Sequence, residues 1–220
     1  LNAHDVDGRV EQFDALSPSI LEAARLWQSA LRATLASEDE REIFSTAPAQ
    51  GTARLRRAIA HHLRGTRGMN VDPDNIVIGA GAQLLDTMLV QLLGADKVYA
   101  VEDPGYLRLT RIYQAMGCKV RHIPLDGEGV ELGTLQKSGT DVLHLMPSHQ
   151  YPTGLVTSIA RRYALLSWAA ERPGRYLIED DFDCEFRLAG KPIPALASID
   201  AAQSVIYTNT FSKSLSSALR

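Results

Sequence analysis

The sequence predicts an α/β fold in three layers, a mostly parallel sheet with helices on both faces, and three observations carry that prediction. From Ile76 onward, short runs rich in β-branched residues alternate with segments of helical period. The runs are apolar on both faces, as strands of a covered parallel sheet must be. The helical segments close on Gly or Pro, which end a helix at little cost. Composition agrees: 220 residues, 45% hydrophobic and 22% charged, supply a sizeable core and a wet surface.

In chain order, Ser17-Pro18 reads as an N-cap and first-turn proline opening a helix to about Leu35. A second helix is expected from Thr52 to Arg64, closed by Gly65. Neither is flanked by a buried strand run, so residues 1–50 read as an arm with an accessory helix and 51–220 as a large domain. The expected strands are Ile76-Val77-Ile78, Lys97 to Val101, Lys119 to Pro124, Asp141 to Met146, Arg175 to Ile178 and Ser204 to Tyr207. The helices between them are Gln83 to Leu93 before Gly94, Tyr106 to Met116 before Gly117, and Ser158 to Ala170 before Pro173.

Several function classes are excluded at this level. No apolar run approaches the ~18 residues needed to cross a bilayer. The first residues, LNAHDVDGRVEQF, carry charge where a signal peptide needs an apolar stretch. Two cysteines, Cys118 and Cys184, are too few for a disulfide framework and fit a reducing cytoplasm. A net charge of -3 argues against a nucleic-acid surface on this chain.

Five segments offer chemistry, each just after an expected strand. Gly79-Ala80-Gly81-Ala82-Gln83 opens a helix, and free N–H groups at a helix start bind phosphate. A dinucleotide site is the competing reading, with Glu102 placed like a ribose-binding acid; Leu84, where that fingerprint needs a third glycine, counts against it. Glu179-Asp180-Asp181-Phe182-Asp183 brings carboxylates to a strand's carboxyl end, where open α/β sheets place ligands. A metal there would want His at suitable spacing, which His61, His62, His144 and His149 do not show. Thr210-Phe211-Ser212-Lys213-Ser214 sets an amine among hydroxyls with Arg220 nearby, a group able to attack a carbonyl beside groups suited to a phosphate. His149-Gln150-Tyr151-Pro152-Thr153-Gly154 and Pro104-Gly105-Tyr106 are rigid turns that bring aromatic rings to the same edge. Read alone, the first segment favours a phosphate-binding turn over a structural one, the lysine is an ordinary solvated residue, the acidic run could be a solvated loop, and the Pro-Gly segment is a turn. Together they hold an anion-binding turn, a flat aromatic, a carboxylate and an amine, the set that pyridoxal phosphate uses.

The stretches VEDPGYLR (101–108), MPSHQYPTG (146–154), LIEDDFDCEFR (177–187) and YTNTFSKSLSSALR (207–220) carry a resemblance. In order and spacing they resemble the fold-type I, class I/II aminotransferases, and more narrowly the aminotransferase-like domain of MocR-type regulators in the GntR superfamily. The resemblance covers residues 46–220 well and the first 45 loosely. It implies that Lys213 is the Schiff-base lysine and that Asp180 pairs with the cofactor's pyridine nitrogen. An anion there stabilises the pyridinium and its capacity to accept electrons. It implies phosphate binding by the backbone N–H groups of Ala82 and Gln83, with Thr210, Ser212 and Arg220. Tyr106 would stack on the ring, with Tyr151 and Phe182 beside it. Arg108 would meet a substrate or effector carboxylate, while Asp181 and Asp183 would be supporting or solvated.

Two departures from the pattern matter. Phe182 stands where the regulators usually have Tyr, removing a hydrogen bond worth roughly 0.5–1.5 kcal/mol. Tyr151 stands where classical aminotransferases have the Asn of an NPTG turn, although an aromatic there is ordinary for the regulators.

The resemblance implies a pyridoxal 5'-phosphate-binding effector domain that senses an amino compound by exchange at Lys213. Its implied setting is a cytoplasmic homodimer that reaches DNA only through a winged-helix domain absent from this chain. A stand-alone aminotransferase is the alternative, which leaves open whether the chain is an enzyme, and an NAD-binding module is a remote one. Starting without Met and ending at Arg220, the chain reads as a piece of something longer, with its large domain incomplete and its cofactor site poorly built.

Overall fold

A computed structural model describes residues 18–37, 44–183 and 193–213; Ser17, Cys184, Ser214 and Arg220 lie outside the described residues. In chain order the elements are α1 (Pro18–Ser37), α2 (Ala53–Arg67), a 3-10 turn (Pro73–Asn75), α3 (Ala82–Leu93), β1 (Val98–Asp103), α4 (Leu107–Ala115), β2 (Lys119–Asp126), β3 (Gly129–Val130), α5 (Leu132–Lys137), β4 (Val142–Leu145), α6 (Ile159–Ala170), β5 (Tyr176–Asp180), α7 (Leu196–Ile199) and β6 (Val205–Thr208).

The strands form one sheet in the order β3-β2-β1-β4-β5-β6. All neighbours are parallel except β3, two residues folded back antiparallel on β2. The chain steps from β1 to β2 on one side and returns to place β4 on the other, so strand order reverses at β1. A crevice at such a reversal, beyond the carboxyl ends of the strands, is where open α/β sheets bind ligands.

Alternation along each strand sorts the core into two layers. Ala100, Leu143, Leu145 and Leu177 pack with Leu165, Leu166, Trp168 and Ala169 of α6. Their neighbours Tyr99, Val101, Val142 and Ile178 pack with Val90 of α3 and with Leu109 and Tyr113 of α4. A third cluster, Leu63, Met69 and Ala195, seats α2 against the segment that leads into α7. The predicted three-layer arrangement is therefore the one observed.

The amino-terminal rim of the sheet is tied by Asp141. Its Oδ2 accepts from the Val98 amide at 2.8 Å, and its backbone N–H and C=O bond Val98 and Tyr176 at 2.8 and 2.9 Å. Its Oδ1 meets Arg172, 2.5 Å away.

The structure departs from sequence expectation in several places, and it adds the short helices α5 and α7 and the 3-10 turn, which were not expected. Ile76-Val77-Ile78 is extended but not a strand; the Ile78 N–H donates to the Gln50 carbonyl at 3.0 Å, and no ladder forms. A β-branched run becomes a strand only where a partner is in register, and among the described residues none is. Helix α2 runs through Gly65 and ends at Gly68, whose φ of 66° is the left-handed value that suits glycine. The hairpin strand β3 was not foreseen, being too short to show alternation.

Candidate functional site

The predicted residues that the structure describes lie at the start of α3, at the end of β5 and in the turns that follow β1, β4, β5 and β6, while Arg220 lies outside the described residues. Ala82 and Gln83 form the first turn of α3, which starts at Gly81 (φ 101°) with no side chain capping its amides. Those N–H groups face outward from the positive end of a helix, where an anion is favoured. Gly105, in the turn after β1, could not be another residue: a Cβ there would lie 2.2 Å from the Glu102 carbonyl oxygen. The turn delivers Tyr106, whose ring meets Tyr151 edge-on with centroids 5.8 Å apart. The Arg108 guanidinium lies 6.0 Å from the centre of the Tyr106 ring, at the edge of cation–π range, and is exposed. After β6, the Thr210 hydroxyl donates to Ser212 at 3.0 Å and accepts from its N–H at 3.2 Å, shaping the turn that exposes Lys213.

Strand parity separates the acidic segment into two sets. Asp180 points, like Ile178, toward the α3 and α4 layer, and Phe182 joins the same apolar cluster. Glu179 and Asp181 go the other way. Glu179 accepts from the Leu196 and Ala197 amides at 2.8 and 2.9 Å and lies 3.6 Å from Nη1 of the buried Arg162. Asp181, fully buried, pairs with Arg67 at 2.8 Å and accepts from the Tyr207 hydroxyl at 2.7 Å. Burial pushes the Asp181 carboxyl up while the Arg67 guanidinium pulls it back. Of the two residues expected to be supporting or solvated, Asp181 is supporting, and Asp183 meets His149, whose ring stacks on Phe182 at 6.2 Å.

Asp180 itself is held lightly. It ends β5 opposite Thr208 of β6, the strand that leads into the Lys213 turn. Its Oδ2 lies 3.8 Å from Nε2 of the buried His144, longer than a hydrogen bond.

Glu102 is a brace and not a ligand-binding acid. It is 5% exposed and spans the strand reversal, accepting from the Met146 amide at 3.1 Å and the Gln150 side chain at 3.3 Å. Burial pushes its carboxyl up to about 7, against the opposing pull of those two donors. The Gln150 amide also donates to the Pro104 and Tyr151 carbonyls at 2.9 and 2.6 Å, fastening the two aromatic turns together. With Glu102 engaged inside the protein, the dinucleotide reading loses its ribose partner.

Sequence reasoning singled out neither Arg67 nor Tyr113, nor Gln150 as a fastener. A signal for His144 was present: a polar residue inside the apolar run Val142 to Met146, on the same strand parity as Asp180. Among the described residues no group of three or more His, Cys, Asp or Glu is placed to hold a metal ion. Among them, too, no helix is long and apolar enough to cross a membrane.

Comparison with known proteins gives a consistent result. A family model described as aminotransferase class I and II matches residues 11–218. The pyridoxine biosynthesis transcriptional regulator PdxR of Corynebacterium glutamicum is 40% identical over 197 residues, covering 90% of this chain and 43% of that protein. The uncharacterized HTH-type transcriptional regulator YdeL of Bacillus subtilis is 38% identical over 179 residues, covering 81% and 38%. The chain thus spans less than half the length of these curated relatives. Among solved structures, an archaeal alanine:glyoxylate aminotransferase superposes with a TM-score of 0.81 at 26% identity, over 92% of this chain and 51% of that one. LysN, the alpha-aminoadipate aminotransferase of Thermus thermophilus, gives 0.75 at 26% identity, over 91% and 51%. None of these is a dinucleotide-binding module.

Proposed function

The chain belongs to the class I and II aminotransferase family, and from that premise we propose that it is the pyridoxal phosphate-binding effector domain of a MocR-type regulator. The observation that carries the reading is the placement of Asp180. It is a lightly held carboxylate at the end of β5, beside the strand that leads into the exposed Lys213. The donor set fits the group: amides at the uncapped start of α3 for a phosphate, an anion for a ring nitrogen, and an amine for a carbonyl.

When bound, the cofactor supplies an electrophilic carbonyl carbon and an electron-withdrawing ring. Asp180 would hold a proton on the ring nitrogen through its negative charge. Lys213 would be the covalent anchor that an incoming amino compound displaces. Ala82, Gln83, Thr210 and Ser212 would take the phosphate, Arg220 with them, while Tyr106, Tyr151 and Phe182 would flank the ring. Arg108, exposed and leaning on Tyr106, is free to turn to an effector carboxylate. DNA binding would belong to a winged-helix domain outside this chain, and pairing of two copies would complete the regulator.

Borohydride reduction followed by peptide mapping is expected to fix the cofactor on the peptide that holds Lys213. A Lys213→Ala chain that still carries covalent cofactor would overturn the assignment. Multiple turnovers with amino acids and 2-oxoglutarate at ordinary enzymatic rates would favour a stand-alone aminotransferase instead. The name of the PdxR relative favours a second reading, in which the cofactor itself is the signal. Titration with pyridoxal phosphate alone and then with amino compounds separates the two by which addition changes DNA affinity.

A further inference from the structure

Helix α2 has an inner and an outer face, and both are cationic. On the inner face, Arg56 donates to the Gly51 and Pro73 carbonyls at 3.2 and 2.6 Å and pairs with Asp74 at 2.7 Å. Arg67 reaches Asp181 at 2.8 Å and the Ser148 hydroxyl at 2.9 Å. Leu63 packs with Met69 and Ala195, and the His62 ring centre lies 6.1 Å from that of Phe211 in the Lys213 turn. These contacts seat the helix against the candidate site.

The outer face carries Arg54, Arg57, His61 and Arg64, all exposed. Spacings of three, four and three residues set them in one line along the helix. At a rise of ~1.5 Å per residue the line is about 15 Å long. Among the described residues no carboxylate pairs with Arg57, His61 or Arg64, and the Arg64 guanidinium donates to the neutral side chain of Asn70. Residues 43–71 hold five arginines and no Asp or Glu. The whole-chain charge of -3 hides this segregation, because it averages over a more acidic remainder.

Helix stability does not account for the row. Arg54 stands in the first turn, which has no acidic residue and where the helix dipole disfavours a cation. Arg54 and Arg57, like charges one turn apart, repel each other, and no acidic residue of the helix offsets them. The row suits a ligand with its own regular line of negative charge. Duplex DNA presents a phosphate about every 3.4 Å of rise on each strand, so the row spans about four of them. Guanidinium groups also take phosphate oxygens in pairs. We propose that the outer face of α2 lies along the phosphate backbone of the DNA that the regulator binds. It adds contacts blind to sequence to those of the winged-helix domain. The proposal rests on the reading of this chain as part of a DNA-binding regulator.

The test uses the full-length regulator and a DNA duplex of mixed sequence, with affinity measured between about 50 and 200 mM salt. Arg57→Gln combined with Arg64→Gln is expected to flatten the slope of log affinity against log salt by about 1.8, at about 0.9 per lost phosphate contact. The advantage of the wild type then shrinks about tenfold across that range. Either single change, expected to take about 0.9 from the slope, decides the matter if the pair fails to fold. Arg57→Lys with Arg64→Lys keeps the charges and is expected to keep the slope. Arg121→Gln with Lys137→Gln removes the same charge from exposed positions on β2 and α5 and is expected to leave the slope unchanged. A wild-type slope after loss of Arg57 and Arg64, or an equal flattening after loss of Arg121 and Lys137, would overturn the proposal. A wild-type protein that binds no duplex at any salt would overturn the regulator reading itself, and the proposal with it.

Discussion

Glu179 and Asp180 are adjacent in the chain, lie on opposite faces of one sheet, and live in opposite electrostatic conditions. On the α6 face, Glu179 has two backbone amides and the buried Arg162, which in turn donates to the carbonyls of Thr157, Pro194 and Pro147 at 3.1, 3.0 and 2.6 Å. Both carboxylate oxygens of Glu179 and all three guanidinium nitrogens of Arg162 are thus answered from within. On the α3 and α4 face, Asp180 has one long contact with a histidine and a partly open side chain. The difference teaches that a carboxylate's use is set by how completely the fold answers it. A saturated one holds elements together, and an under-coordinated one at the rim is available.

The largest test of that contrast is Arg162→Ala. It strands Glu179 in the interior and should destabilise the fold by about 3–5 kcal/mol in chemical denaturation, the usual result of removing one partner of a buried pair. A loss under about 1 kcal/mol would mean that the α6 face is not held by this pair.

Glu102 gives the next effect, read through pH. Its carboxyl is raised to about 7 in the folded chain and returns to the ordinary range on unfolding, so the folded state binds the proton more tightly. Stability is therefore highest below pH ~4.5, falls as pH rises to about 7, and levels off above, a loss of about 3 kcal/mol from this group. The difference between wild type and Glu102→Gln in denaturation midpoints across that window isolates it. A parallel pair of curves would show that Glu102 stays ionised when buried.

Asp180→Asn should separate the faces most cleanly. Cofactor affinity is expected to fall by roughly 1.5–3 kcal/mol, as for a hydrogen bond to a charged group, while the unfolding midpoint barely moves. Equal losses in both would make Asp180 another structural carboxylate. The smallest effect belongs to Ser158→Ala at the start of α6. There the hydroxyl accepts from the Arg161 amide at 3.1 Å, and about 1 kcal/mol of stability should go with no change in cofactor binding.

Much of this contrast was legible in the chain. Alternating apolar runs placed five of the six strands, and Gly94 and Gly117 closed the helices they were expected to close. The same two-residue period separates Glu179 from Asp180. Pairings across the chain were not legible: Arg67 with Asp181, Glu102 with Gln150, His144 with Asp180 and Tyr113. Local sequence reports periodicity and caps, whereas the choice of partner depends on strand order and register, which are settled only when the sheet assembles. Ile76-Val77-Ile78 shows the converse, a run with the right local signal and no partner in register among the described residues.

Asp141 has a further consequence, in time and not in energy. With β1, β4 and β5 tied at their amino ends by one residue, while loops fasten their carboxyl ends, the sheet has a slow rim and a fast one. Amide hydrogens near Val98 and Tyr176 are therefore expected to exchange with solvent only on wide opening of the domain, and those of the turns around Gly105 and Gly154 through local excursions. On that expectation, occupancy of the rim would change exchange at the carboxyl edge and leave exchange at the amino edge as it was.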